Sequence, residues 1–261
     1  GAEQEGGPAR QPRRRRERGG ALFGMTLSAA EIGERRDEIL GRIARAAERA
    51  GRDPSGIRLL AVTKTHPAEL VRRAAEAGMT LFGENRVAEG VGKIELLRAD
   101  FPRLEWRLIG PLQTNKAKPA LQWFSVVESL DRERLARRLE GLLAAENRTF
   151  PVLLEVNIGG EATKSGAPPE DVEALAASAV DCPHLEVRGV MAVPPFTDDP
   201  QGSRPGFRRL REIRDRLSDR FGKPFPELSM GMTHDFEVAV EEGATQVRVG
   251  TALFGPREVG R

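Results

Sequence analysis

The sequence predicts a single (β/α)8 barrel of the TIM type. Three observations point to it. Eight short apolar runs alternate with longer helical patterns, and several runs are apolar on both faces, as parallel strands covered on both sides must be. The chain's 261 residues match the length such a barrel needs. An open doubly wound sheet is the competing arrangement.

The first 24 residues stand apart. "GAEQEGGPARQPRRRRERGGALFG" mixes Gly, Pro, Arg and Glu, which predicts a disordered basic tail or an expression remnant, with the barrel spanning residues 25–261. From Thr26 the pattern changes. Ser28 and Glu31 form an S-x-x-E capping box that opens an amphipathic helix running to about Ala50. The strands then read "IRLLAV" (57–62), "TLFG" (80–83), "LEWRLIG" (104–110) and "FSVVES" (124–129). "VLLEVNI" (152–158), "LEVRGVMAV" (185–193), "ELSM" (227–230) and "QVRVG" (246–250) complete the set. Helical patterns between them include Ala68 to Ala77, Asp131 to Ala145, Glu170 to Val180, Arg204 to Arg220 and Asp235 to Glu242. "ELSM" is the weakest strand, since its pattern alone does not demand β structure.

Charge narrows the function classes. Lys+Arg 41 against Asp+Glu 39 gives +2, but residues 1–24 hold six arginines against three glutamates, which leaves −1 for the rest. The body therefore offers no electrostatic argument for a nucleic-acid or membrane partner; only the Arg13 to Arg16 run would suit a nucleic-acid arm. One cysteine, Cys182, excludes an intrachain disulfide and a cysteine-based metal cluster. No apolar run approaches membrane-spanning length, and the tail lacks the apolar core of a secretory signal, so a cytoplasmic protein is the default expectation.

In a TIM barrel the chemistry gathers at the C-terminal ends of the strands. Read in order, those ends give Lys64, then Glu84–Asn85, then Gln113, Asn115 and Lys116, and later Asn157, Ser229, Arg248, Gly250 and Thr251. The last two units say most. "LSMGMTHDF" offers Ser229 and Gly231 before a helix starting near Thr233, and "VRVGTALFG" offers Gly250 and Thr251 before another helical turn. Small residues admit close backbone approach, hydroxyls donate to oxyanions, and the loops after strands seven and eight commonly hold phosphate. A phosphate cradle is the leading reading; ordinary capped βα turns are the plain one. Because a barrel closes on itself, Lys64 faces the same mouth. It is then either a point charge for phosphate or a Schiff-base amine, and pyridoxal phosphate needs both an amine and a cradle. Arg248 lies two residues before Gly250, on the same face of its strand.

These residues carry a resemblance. "LLAVTKTHP", "LFGENRVAEG", "WRLIGPLQTNK", "LLEVNIGGEATKSG", "VRGVMAVP" and "LSMGMTHDFEVAVEEGATQVRVGTALFGPRE" are similar to the pyridoxal phosphate homeostasis protein family, the YggS/PROSC type, from about Leu27 to Arg257. The resemblance implies a type III pyridoxal phosphate fold like the N-terminal barrel of alanine racemase. It implies Lys64 as the Schiff-base lysine, Ser229, Gly231, Gly250 and Thr251 as phosphate contacts, and Arg248 as partner of the pyridine nitrogen. Asn85 falls near the cofactor's ring oxygen, and Lys164 matches a further family lysine implied as a secondary cofactor amine. Two positions depart from many relatives: Arg107, where His is common, and His66. Neither falls on an assigned contact, so both are read as bearing on regulation or surface partners.

Chemistry then separates carrier from enzyme. An arginine does not give up its proton, so a ring nitrogen facing Arg248 stays largely unprotonated and the ring is a weaker electron sink. Racemisation also needs acid/base groups on both faces of the reacting centre. The racemases sharing this barrel use a tyrosine from an added domain and a partner subunit, whereas this chain has no tyrosine. The expectation is a monomeric, non-catalytic pyridoxal phosphate buffer or carrier, with apo pyridoxal phosphate enzymes as clients. An amino-acid racemase or other type III enzyme is the alternative, followed by a Schiff-base aldolase binding a sugar phosphate and a nucleic-acid binder acting through the tail.

Overall fold

In a computed structural model of the chain, whose described residues are 27–161 and 165–256, eight parallel strands close into a barrel in sequence order. They are β1 Arg58–Val62, β2 Leu81–Glu84, β3 Glu105–Leu108, β4 Val126–Leu130, β5 Phe150–Glu155, β6 Leu185–Met191, β7 Glu227–Ser229 and β8 Gln246–Val249. Every expected run forms a strand, including "ELSM". The helices are α1 Ala29–Arg49, α2 Ala68–Glu76, α3 Val87–Leu97, α4 Ala117–Trp123, α5 Glu133–Glu146, α6 Val172–Val180, α7 Arg204–Phe221, α8 Phe236–Glu241 and α9 Thr251–Phe254. The basic tail expected over residues 1–24 lies outside the described residues.

The capping box forms as read: Ser28 Oγ accepts from the Glu31 N–H at 3.2 Å, and Glu31 Oε2 accepts from the Ser28 N–H at 2.8 Å. Ile32, Ile39, Ile43, Ala46 and Ala47 then share one buried face of α1, which packs on α2, α8 and α9. The first helix thus covers the seam where β1 pairs with β8.

Strand alternation divides the buried side chains into two populations. Leu59, Ala61, Phe82, Trp106, Leu108, Val127, Val152, Leu154, Val247 and Val249 face outward and join the helices in one apolar core. Leu60, Leu81, Val126, Leu153 and Met191 are buried outside that core, on the inner face. The remaining inner positions are polar: Arg107, Glu128, Ser229, Gln246 and Arg248 are all buried. A barrel interior is usually filled by branched apolar side chains, so here one side of it is exchanged for a hydrogen-bonded group.

Arg107, read from the sequence as bearing on regulation or surface partners, lies inside the barrel. It is fully buried, because Trp106 and Leu108 take the outward positions of β3. Its Nε donates to Glu105 Oε1 at 2.8 Å, and Nη1 donates to Glu227 Oε2 at 2.5 Å and to Glu128 Oε1 at 3.2 Å. Burial works against the guanidinium charge, but Glu128, Glu227 and Glu105 outweigh it and hold the Arg107 pKa above its ordinary value.

Candidate functional site

A cavity of about 670 Å³ opens at the C-terminal ends of the strands. Its wall includes Lys64, Asn85, Arg248, Gly250 and Thr251. Lys64 and the β8 turn thus share one mouth.

Lys64 follows β1 on a turn fixed from beneath. Thr65 adopts φ 68, a left-handed conformation that costs a β-branched residue about 1–3 kcal/mol and persists only where neighbours enforce it. The enforcement is visible. The Thr65 N–H donates to Glu89 Oε1 at 2.5 Å, and Lys93 Nζ donates to Thr63 O at 2.7 Å, Glu84 Oε1 at 2.6 Å and Glu89 Oε1 at 2.8 Å. Thr63 Oγ1 adds a bond to Glu84 Oε1 at 2.6 Å. Burial pushes the Glu84 carboxyl up, and Lys93 only partly offsets this. Burial also opposes the Glu89 charge, yet Lys93 and the Thr65 N–H hold Glu89 below its ordinary value.

The opposite wall comes from β7 and β8. Arg248 projects from the inner face of β8; its Nη1 donates to Ser229 Oγ at 2.7 Å and its Nη2 to Ala192 O at 2.7 Å. Burial pushes the Arg248 pKa down, against the opposing charges of Glu128, Glu155 and Asp235. Ser229 and Gly231 do not line the cavity. The Ser229 hydroxyl lies inside the barrel, donating to Glu128 Oε2 at 2.7 Å. Gly231 shapes the turn: its φ is +90, and a Cβ there would stand 2.5 Å from Ala239 Cβ. That turn delivers Met232, Thr233 and His234 to the wall instead. Thr233 Oγ1 accepts from the Ala252 N–H at 3.3 Å, which ties the β7 turn to the start of α9 beside Thr251.

The remaining wall mixes expected and missed residues. Asn85 lies at the end of β2, and its buried Oδ1 has no hydrogen-bond partner among the described residues. The β3 end reaches it because Gly110 lacks a side chain, since a Cβ there would meet Asn85 O at 2.3 Å. Glu155 and Ser165 enter from β5 and the segment after it, with Ser165 Oγ donating to Glu155 Oε1 at 2.6 Å. Burial pushes the Glu155 carboxyl up. Gln113, Asn115, Lys116 and Asn157 stand at strand ends as read but line other surfaces. His66 packs its ring on Phe254 at 5.1 Å, His184 sits 2.7 Å from Glu140 on the outer shell, and His234 alone of the three histidines lines the cavity. Lys164 lies outside the described residues.

Met232, Thr233, His234, Glu155 and Ser165 were not among the residues read from the sequence. Strand parity gives the available signal: with Arg248 inward on β8, Ser229 inward on β7 is opposite Gln246, one step deeper in the barrel than the mouth.

Comparison with known proteins agrees with this geometry. Residues 35–258 match the family model "Alanine racemase, N-terminal domain". A pyridoxal phosphate homeostasis protein of Aquifex aeolicus is 46% identical over 225 residues, 86% of this chain and 98% of that one. Its counterpart in Pseudomonas aeruginosa is 46% identical over 229 residues, 88% and 97% of the two chains. Among solved structures, PipY of Synechococcus elongatus with PLP bound superposes with a TM-score of 0.75 at 34% identity, covering 86% of this chain and 100% of that one. Alanine racemase of Corynebacterium glutamicum, 17% identical with a TM-score of 0.63 over 90% of this chain and 63% of that one, shares the fold. A closed barrel of this topology, with relatives matched along nearly their whole length, establishes that the chain belongs to the pyridoxal phosphate homeostasis protein family, built on the alanine racemase N-terminal barrel.

Proposed function

We propose that this chain binds pyridoxal 5′-phosphate in the barrel-mouth cavity, attached through Lys64, and holds the cofactor for delivery rather than for turnover. One observation carries the reading: an amine, a guanidinium and a small-residue turn converge on a single cavity. The residues fit the group. Lys64 offers the nucleophile for an aldehyde. Gly250 leaves room for a phosphate oxygen where a Cβ would crowd Val62 O at 3.3 Å, and Thr251 and Thr233 bring hydroxyls beside it. Arg248 has N–H donors beyond the two already used, and Asn85 Oδ1, which has no partner among the described residues, could accept from a donor on the group. Within the phosphate cradle, Gly250 and Thr251 make the contact, Thr233 takes the part first assigned to Ser229, and Gly231 acts by shaping the turn.

The cofactor would supply an aldehyde and an electron-withdrawing ring. Arg248 keeps its own proton, so a ring nitrogen against it draws electrons less strongly than one paired with a carboxylate. No tyrosine exists in the chain to serve a second face of a reacting centre. These two features support a carrier: a monomeric cytoplasmic barrel of residues 25–261 that passes cofactor to apo-enzymes, with the tail taking no part. His234 on the cavity wall favours the second reading, slow amino-acid chemistry by an acid/base pair with Lys64.

Borohydride reduction of the loaded protein, followed by peptide mass spectrometry, tests the proposal. A cofactor-sized adduct on Lys64, absent in Lys64→Ala, supports it. An adduct elsewhere, or none, overturns it. Amino-acid turnover lost in both Lys64→Ala and His234→Ala would move the assignment to an enzyme.

A further inference from the structure

The polar group inside the barrel joins its two ends. At the cavity, Arg248 Nη1 donates to Ser229 Oγ at 2.7 Å. A hydroxyl has a single proton, and that of Ser229 goes to Glu128 Oε2 at 2.7 Å. Gln246 braces both, its Nε2 donating to Glu128 Oε1 at 2.6 Å and to Ser229 Oγ at 3.0 Å. Glu128 is fully buried, and the cation nearest to it is Arg107, whose Nη1 lies 3.2 Å from its Oε1. Arg107 is held in turn by Glu105 and Glu227, both partly exposed toward the other mouth.

Every bond direction in this chain is determined. A carboxylate only accepts and a guanidinium only donates, so the Ser229 proton must point to Glu128 and its lone pair to Arg248. Four strands fix the side chains involved: β3 supplies Arg107, β4 supplies Glu128, β7 supplies Ser229, and β8 supplies Gln246 and Arg248. Nothing in the apolar core requires such a group, and a buried ion pair is a poor way to gain stability compared with apolar packing. Its terminus at the cavity wall suggests what it is for.

We infer that Glu128, held by Arg107, is a positioning residue for Arg248, which it orients through the Ser229 hydroxyl and so sets the electronic state of a pyridine ring bound against the guanidinium. The inference rests on the proposed cofactor reading. In Glu128→Gln the new carboxamide can donate toward Ser229 Oγ, the hydroxyl proton is released from its fixed direction, and Arg248 loses both its ordered acceptor and a balancing charge.

The experiment titrates pyridoxal phosphate into purified full-length wild type, Glu128→Gln, Ser229→Ala, the double variant and a control, Glu242→Gln. Glu242 is a buried carboxylate with arginine partners on the outer shell, away from the cavity. The readouts are the position and pH midpoint of the cofactor's visible absorption band, its dissociation constant, and melting temperature. Glu128→Gln and Ser229→Ala should shift the band or its midpoint in the same sense and weaken binding about tenfold, the scale of one buried charge-assisted hydrogen bond. The double variant should do no more than the larger single change. The control should melt lower with an unaltered band.

Effects that add in the double variant, an unmoved band in Glu128→Gln, or a control that moves the band equally would each overturn the inference. Should Glu128→Gln not fold, Ser229→Ala, which removes one oxygen, still decides: an unmoved band in it overturns the relay. A wild type that takes up no cofactor and forms no Lys64 adduct overturns the underlying cofactor reading instead, which separates the two failures.

Discussion

Two buried glutamates in this barrel are both surrounded by arginine, yet they serve different ends. Glu128 lies on the inner face, paired with Arg107 and connected through Ser229 to the cavity. Glu242 lies just after α8 and is paired with Arg204 at 2.9 Å, Arg208 at 3.2 Å and Arg211 at 3.2 Å, all on α7. The outer group ties one helix to its neighbour and leads nowhere near the mouth. Its arginines stay partly hydrated, so the pairing needs no elaborate counter-structure. Glu128 and Arg107 are sealed from water and need a chain of further partners, which is a price that packing alone would not justify. Similar chemistry can clamp a shell or aim a functional group; what differs is where the last partner points.

The largest expected effect comes from Lys93, which stands on the outer face of the barrel yet supports the Lys64 turn. Lys93→Met leaves Glu84 and Glu89 without their cation and should cost about 3–5 kcal/mol in chemical denaturation. It should also slow borohydride-trapped loading at Lys64. A stable, normally loading variant would show that the turn does not depend on this cation.

Next comes Gly231, which sits between the inner and outer groups. Gly231→Ala forces a side chain into φ +90 and toward Ala239. A loss of about 2–4 kcal/mol is expected from strain plus overpacking. Unchanged unfolding free energy would mean that the turn relaxes at no cost.

Glu242→Gln is smaller, about 1–3 kcal/mol, with no spectral consequence at the cavity. Burial opposes the Glu242 charge, but Arg204, Arg208 and Arg211 outweigh it and hold the folded-state pKa below the ordinary 4.5. A depressed carboxylate contributes stability in full above its unfolded value and loses it as pH falls through the folded one. Wild type should therefore destabilise more steeply than Glu242→Gln on acidification below about 4.5, as read by melting temperature. Parallel pH profiles would break the assignment. Least of all should come Arg137→Ala, which removes an exposed pair to Glu133 and should fall within about 0.5 kcal/mol of wild type.

Much of this architecture was legible because each strand carries its own apolar signature and each helix its own period. Even the three-residue β7, the weakest of the eight runs by its pattern, forms a strand where it was read. Site legibility stopped where parity and loop path took over. Lys64, Asn85, Arg248, Gly250 and Thr251 could be read as strand ends and do share the cavity. Ser229 could not be placed correctly from its position at a strand end alone, because the alternation of β7 turns its hydroxyl inward. Thr233 and His234 reach the wall through a left-handed Gly231, a path with no simple sequence period. Arg107 was read only as bearing on regulation or surface partners; its flanking Trp106 and Leu108 are the signal that it faces inward.

Trp106 has a consequence of its own. It is 4% exposed, stacks on Phe82 with ring centroids 5.1 Å apart, and immediately precedes Arg107. With two tryptophans and no tyrosine in the chain, ultraviolet emission comes from few sources, and one of them is anchored on the strand that carries the interior guanidinium. The molecule thus holds a native fluorophore against the barrel wall, ready to report quenching when a coloured guest fills the mouth.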